Sequence, residues 1–132
     1  MIGIDTNVLL RFLLNDDAKQ SARAAAFMRD EISATEPGYV SLVVLLESLW
    51  VLESLYEFTP AQQLNVLEDV LSVDALVIAE RSIVIQAVIA ARKYPAGLQD
   101  RLVALLGAQA GCAMTVTFDK RAAKHGGMTL LR

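Results

Sequence analysis

Short apolar runs alternate with segments of helical character along the whole 132-residue chain, and this alternation restricts the fold more than any other feature. Met1–Asp5, Tyr39–Ser41, Ala75–Ala79, Met114–Phe118 and Met128–Leu131 read as strands. Between them lie predicted helices at Thr6–Leu14, Ala18–Ser33, Leu42–Glu57, Glu80–Tyr94, Leu98–Ala110 and Asp119–His125. A further helix opens at Thr59-Pro60-Ala61-Gln62, where Thr caps, Pro fills the first position and Gln completes a capping box; it runs to about Ser72. Ala18, Ala22, Ala25, Met28 and Ile32 recur at helical spacing, and Gly126-Gly127 stops the last helix. Strands alternating with helices imply an α/β fold. We expect one domain over residues 1–132, with a central parallel five-stranded sheet flanked by helices on both faces. In such sheets ligands bind beyond the carboxyl ends of the strands.

Composition closes off several chemistries. One cysteine, Cys112, excludes an internal disulfide framework and a multi-cysteine zinc site; one histidine, His125, excludes a His-rich metal centre. The formal charge of −3 gives no whole-chain signature of a nucleic-acid binder. Its distribution says more. Residues 1–80 hold thirteen acids and four bases, whereas residues 81–132 hold eight bases and only two acids, Asp100 and Asp119. The longest apolar stretches, Leu42–Leu52 and Ile83–Ala91, are too short to span a bilayer, and Met1 leads into Ile-Gly-Ile-Asp without a basic leader; a cytoplasmic protein away from the membrane is expected.

Asp5 ends the first predicted strand and Asp119 the fourth, which puts both at one edge of the expected sheet. Each also suits the cap of the helix that follows, and the two roles are compatible. Glu47 sits among Val43, Val44, Trp50 and Val51 at helical spacing, so it is expected to be partly buried; the other reading puts it on a narrow exposed stripe. Asp100 opens a helix, where the dipole favours an acid, and has Arg92, Lys93 and Arg101 as neighbours. Four carboxylates on four elements, without histidine or cysteine, suit a hard cation with oxygen ligands. Magnesium or manganese in such a site activates water and neutralises a phosphodiester.

Ile-Asp-Thr-Asn-Val-Leu-Leu-Arg, Ser-Leu-Val-Val-Leu-Leu-Glu-Ser-Leu-Trp-Val-Leu, Gly-Leu-Gln-Asp-Arg-Leu-Val-Ala-Leu and Thr-Val-Thr-Phe-Asp-Lys occur in that order. Together they resemble the motifs of PIN-domain ribonucleases, specifically VapC-type toxins of toxin–antitoxin operons, over the whole chain. The resemblance implies a single PIN-like domain and an acidic quartet at Asp5, Glu47, Asp100 and Asp119. It implies Thr6 and Asn7 beside the metal, with Thr117 hydrogen-bonding there. It also implies a magnesium- or manganese-dependent endoribonuclease, a homodimer and a cognate antitoxin. Gly97 departs from the family pattern, which often has a polar or acidic residue three positions before the third acid; this favours one metal over two.

Arg92, Lys93, Arg101, Lys120, Arg121 and Lys124 flank Asp100 and Asp119, forming either a rim for RNA phosphates or a solvated face. Arg11 suits phosphate, a site acid or the antitoxin. Trp50 reads as core or, with Leu52, Leu55 and Tyr56, as a groove for an antitoxin helix, and the helix around Ile83–Ile89 as core or part of a dimer interface; Cys112 reads as a buried small hydrophobe and His125 as a helix C-terminal residue. Two other functions compete: a non-catalytic PIN-like RNA- or partner-binding module, and a receiver-type phosphoacceptor domain. The receiver expects a basic residue near the end of strand five followed by a final helix, and that combination has no convincing counterpart here.

Overall fold

A computed structural model describes residues 1–132. Seven helices and five short strands alternate, and the chain packs as two compact units, Met1–Arg81 and Ser82–Arg132.

The first unit opens with β1 (Ile2–Gly3), α1 (Thr6–Leu14) and α2 (Ala18–Asp30). It continues with β2 (Gly38–Val40), α3 (Leu42–Ser54), α4 (Pro60–Ser72) and β3 (Leu76–Ile78). Its strands pair in parallel in the order β1-β2-β3, with Ile2 opposite Gly38 and Val40 opposite Ile78. Caps fix the helix starts. Ser41 accepts from the Val44 N–H at 3.2 Å, and the Thr59–Gln62 capping box forms in both directions. The core gathers Leu9, Leu45, Leu49, Leu52, Leu67 and Val40, all nearly solvent-free. Gly38 is required there by space, since a Cβ would come within 2.8 Å of a Leu76 methyl.

The second unit holds nearly all of α5 (Arg81–Ala91), a 3-10 turn at Pro95–Gly97, α6 (Leu98–Gln109), β4 (Val116–Thr117), α7 (Lys120–His125) and β5 (Thr129–Leu130). β4 and β5 pair in parallel, Val116 opposite Thr129. In α5, Val84, Ala87, Val88 and Ala91 are buried, which agrees with the core reading, while Ile85 and Ile89 are exposed.

Three sequence expectations are corrected. The five strands do not form one central sheet; they form a three-stranded and a two-stranded parallel ladder. β1 and β4 are only two residues long, and Gly3 brings no side chain to pack, so each ladder is minimal. Nor is the larger sheet covered on both faces. Val40, Leu76 and Ile78 are buried, whereas their alternating neighbours Tyr39 and Val77 are exposed. Several helices also stop early. α3 ends at Ser54; beyond it Glu57 takes a left-handed conformation (φ 56°) and the Phe58 N–H returns to the Leu52 carbonyl, which turns the chain away from the helix axis. α2 ends before Ser33, whose hydroxyl and N–H are engaged by a turn with Glu36. Glu80 is also left-handed, so α5 starts one residue later than expected. No helix is long and apolar enough to cross a membrane.

Candidate metal centre

Asp5 follows β1 in an extended conformation and caps α1, its Oδ1 accepting from the Thr6 N–H at 2.8 Å. The Thr6 side chain turns inward. The residue is only 5% exposed, and its Oγ1 has no hydrogen-bond partner. Buried hydroxyls normally find a partner, so this unpartnered one is an exception. Asn7 is exposed on the first turn of α1.

Asp119 repeats the arrangement in the second unit. It follows β4, caps α7, and its Oδ1 accepts from the Arg121 N–H at 2.8 Å and the Ala122 N–H at 3.3 Å. Its own N–H donates to Thr117 Oγ1 at 3.0 Å. Asp100 lies half-buried in the first turn of α6. Burial, and then the negative charge on Asp119, hold the Asp100 carboxyl above the usual carboxylate range.

Glu47 corrects an expectation: it is exposed on α3. Its helical neighbours Val43, Leu46 and Trp50 are exposed with it, Trp50 at 61%, so the core reading of Trp50 is corrected too. The apolar face that buries α3 is the opposite one, Leu45, Leu49 and Leu52. An apolar stripe on each side left periodicity unable to choose between them. Cys112 is likewise exposed, following left-handed Gly111 (φ 98°) just beyond α6, and is not a core residue.

No group of three or more His, Cys, Asp or Glu side chains forms a ready-made cation cage. The donors present nonetheless suit magnesium or manganese. Magnesium is commonly held by one or two carboxylates, with water and substrate oxygens completing its octahedron. Within the second unit, Asp100 and Asp119 supply two carboxylates of the kind a hard cation takes.

The basic candidates differ in setting. Lys93, Lys120, Arg121 and Lys124 are exposed, as is Arg92. Arg101 is half-buried, with its Nε shut off from solvent and unpartnered. Arg11 is tied into a network that sequence reasoning missed. Its Nη1 donates to both Asp16 oxygens at 3.0 Å and to the Tyr56 hydroxyl at 3.0 Å, and its Nε donates to Gln20 Oε1 at 2.8 Å. Tyr56 also donates to Asp16 at 2.5 Å, and this bond, with help from Arg11, holds Asp16 below the usual carboxylate range. Arg11 and Asn7 line a cleft of about 340 Å³ together with Gln20, Arg23, Val8 and Phe27. A second feature missed in the sequence is the stack of the Tyr94 ring on His125, at a centroid distance of 4.0 Å. His125 is the last residue of α7, as expected.

No curated protein matches the chain. The PIN domain family model matches residues 2–128, and the chain belongs to the PIN domain family.

Proposed function

We propose that this chain is a magnesium- or manganese-dependent endoribonuclease that acts in the cytoplasm as the toxin of a VapC-type toxin–antitoxin pair. Membership of the PIN family supports a nuclease-type activity. The observation that carries the reading is Asp100 and Asp119, the only acids in an otherwise basic stretch, set at either end of α7: Asp119 caps it and Gly126, just past its end, abuts Asp100. Such a pair, once it holds a cation, turns a repulsive spot into one that accepts a phosphodiester.

Asp5, Glu47, Asp100 and Asp119 are the carboxylates proposed to hold the cation. When bound, magnesium or manganese lowers the pKa of an attached water and neutralises charge on the phosphodiester. The chain's own groups prepare for that chemistry. The α7 N–H groups fix Asp119 through Oδ1, and Thr117 fixes its backbone. The Thr6 hydroxyl, next in sequence to Asp5, is buried and unpartnered, and is proposed as a supporting polar group of the site. Exposed Lys120, Arg121 and Lys124, with Arg92, Lys93, Arg101 and Arg11, are proposed contacts for RNA phosphates, which such side chains bind without regard to sequence. A water nucleophile makes the 2′-hydroxyl of the substrate dispensable.

A cognate antitoxin and a second copy of the chain are the proposed protein partners. Val43, Leu46 and Trp50 on α3 and Ile89 on α5 support apolar contacts of this kind. Expression of the chain alone is expected to arrest bacterial growth and fragment cellular RNA, and Asp5→Asn is expected to remove both effects. Co-expression of a small protein from an adjoining reading frame should restore growth. RNA that is bound yet left intact by the wild-type chain would favour a binding module and overturn the proposal.

A further inference from the structure

We propose that Gly126 and the Tyr94–His125 ring stack are positioning residues for Asp100, clasping the start of α6 to the end of α7, the helix that Asp119 caps. The proposal rests on the metal reading above.

Tyr94 immediately precedes the Pro95–Gly97 turn, which runs without a break into α6. His125 closes α7. Their rings lie at 4.0 Å with an interplanar angle of 23°, so the stack ties those two chain ends together. Gly97 lets the contact close: a Cβ there would lie 3.2 Å from Tyr94 Cδ1 and 3.5 Å from the His125 carbonyl oxygen. Gly126 completes the joint. A Cβ on it would fall 2.6 Å from Asp100 Cβ and 2.8 Å from the Ala122 carbonyl oxygen. Its φ of −101° is open to any residue, so close approach rather than backbone conformation demands glycine.

α7 thus touches both acids. Its N-terminus carries Asp119 as the cap, and the glycine just past its C-terminus abuts Asp100. Two carboxylates left to themselves move apart. The clasp opposes that motion with a ring stack and a backbone surface that has no side chain to yield. Any side chain at Gly126, or loss of the stack, shifts α6 relative to α7 and with it Asp100 relative to Asp119.

The test is Mn2+ binding by the full chain, read by calorimetry and by the electron paramagnetic resonance of free Mn2+. G126A and H125A are expected to bind Mn2+ about tenfold or more weakly, the scale seen when groups that orient metal ligands are removed. H125F keeps a stacking ring and is expected to retain wild-type affinity. Thermal midpoints and circular dichroism establish that each variant is folded at the temperature of titration. If G126A does not fold, the H125A and H125F pair carries the test. Wild-type affinity in G126A or H125A, or a common loss in H125A and H125F, would overturn the positioning role while leaving the metal reading intact. Absence of Mn2+ binding by the wild type would overturn both.

Discussion

Asp100→Asn is expected to reduce cation-dependent RNA cleavage by about a hundredfold or more, the scale on which loss of one charge-stabilising group in an active site is felt. It should do so without lowering the thermal midpoint. The two effects part because they have different causes. In the folded chain the Asp100 carboxylate is disfavoured by burial and by the charge on Asp119. A folded-state pKa raised in this way adds stability at low pH, and that stability is lost as pH rises from the unfolded pKa through the folded one. At neutral pH the wild type carries the repulsion in full, whereas the amide has no charge to repel. A midpoint at or above that of the wild type, together with lost cleavage, is the signature of a side chain kept for chemistry. A lowered midpoint with retained cleavage would reduce Asp100 to a structural acid of the α6 first turn. Thermal denaturation and RNA cleavage on the same preparations decide between them.

The largest stability effect is expected at Leu52. It is fully buried on α3, and truncation to Ala should cost about 2–5 kcal/mol through lost transfer energy and a residual cavity. Two residues away, Trp50→Ala should change stability by no more than about 0.5 kcal/mol, because its ring is mostly in solvent. The contrast is sharp because a buried Trp would cost about 3–5 kcal/mol on truncation. Urea denaturation of both variants measures it. Loss at Trp50 equal to that at Leu52 would mean that α3 is buried on both sides and that Glu47 is enclosed with it.

The same helix shows where sequence reading stops. Local signals were legible. Asp5, Ser41, Thr59 and Asp119 cap the helices that their types and positions foretold, because a cap depends on three or four neighbouring residues. The α1 span was readable for the same reason, with Asn15 closing it in a left-handed conformation. Long-range facts were hidden. Nothing local says which stripe of an all-apolar α3 is buried, so Glu47, Trp50 and also the lone Cys112 were placed inside when they lie outside. Glu57 and Glu80 take left-handed conformations that glycine would have advertised and glutamate does not. Strand pairing depends on partners far away in sequence, and the five runs resolve into ladders of three and two.

The candidate site divides the same way. Asp5, Asp100 and Asp119 stand at element ends, where strand and helix signals meet, so their positions could be read; Glu47 lies mid-α3, where they do not. The coupling of Asp100 to Asp119 and the tight seat of Gly126 against Asp100 needed coordinates, as did the Arg11–Asp16–Tyr56 network across forty residues of chain. Gly126 read only as a helix stop, yet its φ is open to any residue and a Cβ on it would collide with Asp100 and the Ala122 carbonyl.

The most direct test of the central claim is cleavage of a single-stranded RNA whose 2′-hydroxyls are replaced by hydrogen at the cut position. The account predicts cutting in Mg2+ or Mn2+ that leaves a 5′-phosphate, stops with EDTA and returns when the cation is added back. Cleavage that persists in EDTA, or that requires the 2′-hydroxyl, would contradict it.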